Sequence, residues 1–278
     1  MRAAPGDISG LVRSRTMASS FVVTTSRLAD SAAQREAHDW AARLSTRVVP
    51  RGGRSIEALC RDERVEGALV ISSAAPPTYL SADQSVRYFY HPGMALTRIK
   101  FLLQGKEDPM VRAMQLAEGD RLLDCTLGRA ADAVVASFVV GATGRVVGLE
   151  SSPLIAELTL HGLQSYEPPN PRVRTAMRAI DARRADHLPF LQTCPDHAFD
   201  VVYFDPLFSE PVAASSAMQP LRPLADHRPL SEEALAEARR VAARCAVIKE
   251  RSRSPLWSRW GVRHIVGGKS SSIAYGVL

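Results

Sequence analysis

Apolar positions along the chain recur with two different periods, and each change of period marks a new element. FVVTT (21–25) is a short run of β-branched and aromatic residues and predicts a strand. Over 29–44 the spacing changes to three and four residues, placing Leu28, Ala32, Ala33, Ala37, Trp40, Ala41 and Leu44 on one face of a predicted helix. RVVP follows as another strand. SIEALCRDE opens on Ser55 ahead of an apolar-periodic run and carries an acid in its first turn, which is a helix start. GALVIS (67–72) predicts a buried strand, while TYLS and VRYFY alternate about the polar turn S-A-D-Q as a hairpin. Helical spacing returns over 94–114, with a break at Asp108-Pro109 because proline cannot continue a helix.

From Asp120 onward strands and helices alternate. RLLDC (121–125), RVVGLE (145–150), a segment near 180–183 and DVVYF (200–204) read as strands. Helices separate them: one from Asp132 through AVVASFVV, one across PLIAELTLHGLQSY, and an arginine-rich one after the breaking loop EPPNP. SEEALAEARRVAAR is amphipathic, with a serine cap and two acids where the helix dipole favours them. AVIKE, VRHIVGG and SIAYGVL add three strands. This alternation predicts a mostly parallel, seven-stranded Rossmann-like α/β sheet with crossover helices, preceded by a small N-terminal α/β unit. The expected division is a disordered leader over 1–19, a small domain with its connector helix over 20–110, and the main domain over 111–278.

Composition narrows the classes. The chain has 278 residues and 46% hydrophobic content, enough for a large core. No apolar run approaches the roughly 18 residues of a membrane span, and the arginine-bearing start lacks the apolar core of a secretory signal. Cys60, Cys125, Cys194 and Cys245 lie far apart without zinc-ligand spacing, so reduced cysteines in a cytoplasmic protein and no metal are expected. The net charge of +6 is modest, but its distribution is uneven. Lys249, Arg251, Arg253, Arg259, Arg263 and Lys269 face the single acid Glu250 in one segment, and Arg172, Arg174, Arg178, Arg183 and Arg184 surround Asp181. Such groups can form a phosphate footprint or simply a solvated arginine-rich surface.

Three strand ends carry candidate chemistry. Asp124 ends a strand, and Gly128 in the following turn lets backbone approach a ligand at a helix N-terminus, although only one glycine of the usual series is present. Glu150 ends the next strand about twenty residues on, where an acid can accept hydrogen bonds from both ribose hydroxyls; capping the next helix is the plainer alternative. These two elements suit NAD and S-adenosylmethionine equally. The third, Asp205-Pro206-Leu207-Phe208, favours the latter: a carboxylate and a proline-fixed carbonyl can hold an exocyclic amine while the phenyl ring stacks on a base. A conjugated amine is a poor nucleophile, so aiming its lone pair matters more than a strong base.

DCTLGRAADAVVAS, VVGLESSPLIAELTLHGL, RRADHLPFL and VVYFDPLF together resemble the class I S-adenosylmethionine-dependent methyltransferases that include the RsmJ-like small-subunit rRNA guanine-N2 enzymes. HPGMALTRIKFLLQGKEDPMVRAM, PLRPLADHRPLSEEAL and VIKER extend the resemblance to a YpiP-like branch, from about Val22 to the C-terminus. The resemblance implies a class I methyltransferase sheet and S-adenosylmethionine as cofactor. It places Asp124, Gly128, Ala131 and Asp132 at the first cofactor loop, Glu150 and Ser151 at the ribose, Asp186 and His187 near the adenine, and Asp205, Pro206 and Phe208 in the catalytic motif. Ala131 stands where the guanine-N2 enzymes resemble one another in having arginine, a contact that Arg129 could replace.

The expected function is N-methylation of a purine exocyclic amine in RNA, foremost guanine N2 of 16S rRNA, with rRNA or a ribosomal subunit as partner. DNA, a protein or a small molecule as substrate, or a nonenzymatic RNA-binding or assembly factor, are the alternatives. His91 is expected to be structural, and Lys249 with Glu250 to form a strand-end salt bridge.

Overall fold

A computed structural model describes residues 20–207, 222–267 and 271–278. The expected leader and Phe208 lie outside the described residues. The chain begins with β1 (Phe21–Thr25), α1 (Ser31–Arg43), α2 (Ile56–Glu63), β2 (Gly67–Ser72), β3 (Ala75–Ser81) and β4 (Arg87–Phe89). α3 (Ala95–Leu103) and α4 (Pro109–Met114) lead into the larger sheet. That sheet and its helices comprise β5 (Arg121–Asp124), α5 (Ala131–Val140), β6 (Arg145–Glu150), α6 (Pro153–Ser165), α7 (Pro171–Arg178), β7 (Asp181–Arg184), α8 (His187–Thr193), β8 (Phe199–Phe204), α9 (Glu232–Val241), β9 (Ala242–Arg251), α10 (Leu256–Arg259), β10 (His264–Val266) and β11 (Ile273–Val277).

Local chemistry explains the boundaries. The side chains of Asp30, Ser55 and Ser231 accept from the backbone N–H groups of Ala33, Ala58 and Ala234, capping α1, α2 and α9. Asp108-Pro109 does more than break a helix. Asp108 accepts from the N–H groups of Met110 and Val111, and proline takes the first helical position, so the dipeptide starts α4. RVVP contributes only a parallel bridge from Val48 to Val23, since Pro50 denies the ladder a further donor. α8 and α10 escape the periodicity because seven and four residues are too few to show it.

The sheet order is β10-β11-β9-β8-β5-β6-β7, with β10 and β11 antiparallel. It is the Rossmann-like class I arrangement, in which the last strand returns between the fifth and sixth. A smaller sheet runs β1-β2-β3-β4, with β1 and β2 parallel. The two sheets are bound through helix α6, whose Leu154, Ile155 and Leu158 share a buried cluster with Val23, Trp40, Leu69 and Tyr88 of the smaller unit. Tyr90 lies directly on α6 at Gly162, where a Cβ would fall 1.9 Å from the ring. Among the described residues no helix is long and apolar enough to cross a membrane.

The Gly162 contact leaves no room for even one methyl group, and Tyr90 is buried with no open side to move into. Gly162→Ala should therefore lower stability by about 1–3 kcal/mol as an overpacking change. A urea midpoint equal to that of the wild type would show that the two surfaces are not tightly apposed.

Candidate active site

Parallel strands end together at one edge of the large sheet, and the crevice there is where open α/β sheets bind ligands. It holds a cavity of about 310 Å³. Gly128, Ala131, Asp132, Glu150, Ser151, His187, Asp205 and Pro206 all line it, so residues separated by nearly eighty positions meet in one place. Asp124 lies buried beneath the floor.

The first loop is held from two sides. Gly128 has φ +51°, its N–H donates to Glu150 Oε2 at 3.0 Å, and its carbonyl accepts from Thr159 Oγ1 at 2.6 Å. Glu150 Oε1 also accepts from the Ser152 N–H at 2.8 Å. The acid therefore ties the glycine turn to Ser152 at the start of α6, while its carboxylate still forms cavity wall. Burial raises its pKa, an effect the two backbone donors oppose. Ser151 Oγ donates to Asp226 Oδ2 at 3.3 Å. Asp186 does not reach the cavity: it caps α8 through the Leu188 N–H and pairs with Arg228 at 2.6 Å. His187, beside it, does line the cavity, with its ring edge-on to Phe204, and burial lowers its pKa. Arg129 lines the cavity near Gly93.

The Asp205-Pro206 end of β8 is built into a network of charges. The Asp205 N–H donates to Thr126 Oγ1 at 2.6 Å, joining the motif to the first loop. Lys249 Nζ donates to Asp205 Oδ2 at 2.7 Å and to Asp132 Oδ2 at 3.0 Å. Asp132 also accepts from the Tyr203 hydroxyl at 2.8 Å and pairs with Arg98, which in turn grips Asp108 at 2.7 and 2.9 Å. Lys249 thus pairs with the site and not with Glu250, which accepts from the Arg251 N–H. Alternation along β9 places neighbours on opposite faces, which is the physical reason the expected pair does not form. Arg98 also went unread, because its partners are distant in sequence. His91 has a structural contact, its Nδ1 accepting from the Gly93 N–H at 3.0 Å with the ring edge-on to Tyr166.

Electrostatics divides the acids. Burial opposes charge on Asp132, but Lys249 and Arg98 hold its carboxyl well below the ordinary range. Burial raises the pKa of Asp205, with Lys249 pulling it back. Among the described residues no cation pairs with Asp124; burial and the neighbouring acids push it up to about 8. At neutral pH it is largely protonated, leaving Asp108, Asp132 and Asp205 as three carboxylates against the two cations Arg98 and Lys249.

Of the two basic groups, the one around Asp181 is largely consumed within the fold. Arg183 pairs with Asp181, and Arg174 and Arg178 pair with Glu167.

Residues 80–272 match the family described as "Putative SAM-dependent methyltransferase". The chain belongs to this methyltransferase family. Its cofactor is S-adenosylmethionine. The methyltransferase is 42% identical over 199 residues to the Uncharacterized protein YpiP of Bacillus subtilis (strain 168), covering 72% of this chain and 77% of that one. It is 30% identical over 157 residues to Ribosomal RNA small subunit methyltransferase J of Hydrogenovibrio crunogenus, covering 54% and 55% of the two chains. TrmN from Thermus thermophilus superposes with a TM-score of 0.41 and 15% identity over 92% of this chain and 71% of that chain, too little to bear on function.

The raised Asp124 pKa makes a stability prediction. The native state holds this proton up to about pH 8, while an unfolded aspartate releases it near 3.9. Its contribution is fully present below the unfolded pKa and is lost as pH rises through the folded one. Asp124→Asn, which keeps an acceptor for the Thr126 N–H, should gain in Tm relative to the wild type as pH rises from about 5 to 8. Parallel melting curves across that window would refute the neutral carboxyl.

Proposed function

We propose that the protein is an N-methyltransferase acting on the exocyclic amine of a purine in RNA, foremost guanine N2 of small-subunit rRNA. The observation that carries the amine assignment is the Asp205-Pro206 turn at the cavity wall, with one Asp205 oxygen clamped by Lys249. The RNA assignment is supported by the relative that bears the name of a small-subunit rRNA methyltransferase.

The cavity suits the cofactor. Glu150 offers a carboxylate to a ribose diol, Gly128 has no side chain to obstruct the turn, and Ser151 and His187 line the same wall. Glu150, Asp132 and Asp205 place carboxylates along the wall that a cationic group would face. When bound, S-adenosylmethionine supplies an electrophilic methyl group. Lys249 fixes Asp205 Oδ2, leaving Oδ1 to accept an amine N–H while the Pro206 carbonyl accepts the other. The nitrogen lone pair is then directed into the cavity, and most of the rate gain comes from that orientation. A base stacked in a helix cannot reach this depth, so the nucleotide must be extruded. Phe208, the proposed stacking residue, follows directly in sequence. Residues 20–110 act as a small unit that adds RNA contacts to the domain over 111–278.

Asp205→Ala should abolish methyl transfer to rRNA and leave cofactor binding measurable by calorimetry; full turnover would end the mechanism. Glu150→Ala should instead weaken cofactor binding, and an unchanged dissociation constant would remove it from the ribose. Nucleoside mass spectrometry of rRNA from a deletion strain should show one lost N2-methylguanosine; a complete set of rRNA marks would move the substrate to DNA, protein or a small molecule.

Lys249→Met removes the cation that favours ionised Asp205. The acid limb of kcat/KM against pH should therefore move to higher pH. Lys249→Arg should restore the limb in part. Loss of activity with an unmoved limb would make Lys249 merely structural.

A further inference from the structure

The smaller sheet has its own ligand-binding geometry. β1 is parallel to β2 on one side and, through Val23 and Val48, to the bridge residues on the other. The chain leaves β1 through α1, whose Ala33, Ala37 and Trp40 pack with Val23 and Leu69 on one face. It leaves residue 49 through α2, whose Ile56, Leu59 and Cys60 pack with Val22 and Ala68 on the opposite face. The segments after β1 and after the bridged Val48 thus depart to opposite faces, which opens a crevice between them as at a topological switch point of an open α/β sheet.

That crevice is open. A cavity of about 470 Å³ lies between the loop after β1 and the loop after residue 49, lined by Ser26, Arg27, His38, Arg51, Gly52 and Gly53. Its chemistry is that of an anion site. Arg27 and Arg51 face the same space, and burial together with the Arg27 charge lowers the Arg51 pKa. The nearby acids are committed elsewhere, Glu63 to Arg47 and Asp62 to Arg54, while Asp30 caps α1. Arg51 Nε donates to the Arg54 carbonyl at 3.0 Å, which anchors the guanidinium at the rim. Gly52 and Gly53 have φ +55° and +78° with nothing within 4 Å of either Cβ position, so bare backbone faces the opening. The crevice also has a fixed relation to the catalytic cavity, because Ile155 of α6 lines that cavity and packs in the core beneath α1.

We propose that this crevice binds a backbone phosphate of the RNA substrate, held by the guanidinium groups of Arg27 and Arg51 beside the open Gly52-Gly53 turn. The site rests on the RNA reading of the previous subsection and lies almost wholly in residues ahead of the family match, which begins at residue 80. Guanidinium groups suit phosphate because their paired N–H donors match its oxygens. The extruded purine sits in the catalytic cavity while the flanking backbone is gripped on the far side of α6.

The test is fluorescence anisotropy of a short mixed-sequence RNA hairpin across a series of KCl concentrations, comparing the wild type with Arg27→Ala/Arg51→Ala. Each lost phosphate contact should flatten the slope of log K against log[KCl] by about 0.7–0.9, so the double variant is expected to lose about one such contact and several-fold in affinity. S-adenosylmethionine affinity by calorimetry should not change, since neither arginine lines the cofactor cavity, and Arg27→Lys/Arg51→Lys should keep most of the slope. Equal slopes in wild type and double variant would overturn the site. So would a Tm rise with millimolar inorganic phosphate that the double variant loses while RNA slopes stay equal, which would assign the crevice to a free phosphorylated small molecule. A wild type that binds no RNA would instead remove the RNA substrate itself, and the crevice assignment with it.

Discussion

Asp132 at the start of α5 is the point on which the site depends. One carboxylate takes Arg98 from α3, Lys249 from β9 and the Tyr203 hydroxyl from β8, so three elements distant in sequence converge on two oxygens. Such a cluster is not a cheap source of stability. Attraction at contact distance is roughly 4 kcal/mol at an effective dielectric of 20, and desolvation costs several kcal/mol for each ion. The gain lies in mutual dependence, because removing any partner strands a buried charge. The connector therefore cannot detach through Arg98 without disturbing Lys249, and Lys249 is the group that holds Asp205.

The same economy of contacts joins the two sheets. α6 begins just after Ser152, whose N–H donates to Glu150, passes under the glycine turn through Thr159, and presents Gly162 to Tyr90. Its other apolar residues complete the core of the smaller unit. One helix thus connects the proposed ribose acid, the first loop and the N-terminal sheet, which gives small-residue positions on α6 an importance their size conceals.

Much of the fold was legible because it rests on local patterns. β1, β2 and β6 follow from short runs with adjacent β-branched residues, and the capped helices from a serine or aspartate ahead of an apolar period. What depends on short length was missed, as with α8 and α10, and the bridge at Val48 was overread as a strand. At the site, the strand ends Asp124, Glu150 and Asp205 were legible because position along a parallel strand decides which edge a residue occupies. Lys249 was visible but assigned the wrong partner. Strand alternation alone excludes a pair with Glu250, and a buried lysine then requires an acid from another strand. Arg98 had no such signal, since its contact with Asp132 spans 34 residues and exists only once α3 lies across α5.

The two crevices place different demands on their loops. At the large sheet acids and cations line the cavity in equal number and the turn is tied down by Glu150, as a site must be when geometry controls the rate. At the small sheet the cations exceed the available acids and the turn consists of two unencumbered glycines, as suits a contact that needs charge more than exact orientation. A nucleic acid presents both requirements together, with a neutral base to be aimed and an anionic backbone to be held. A charge-balanced crevice and a cationic one, joined through α6, are therefore the pattern expected of one substrate gripped at two points.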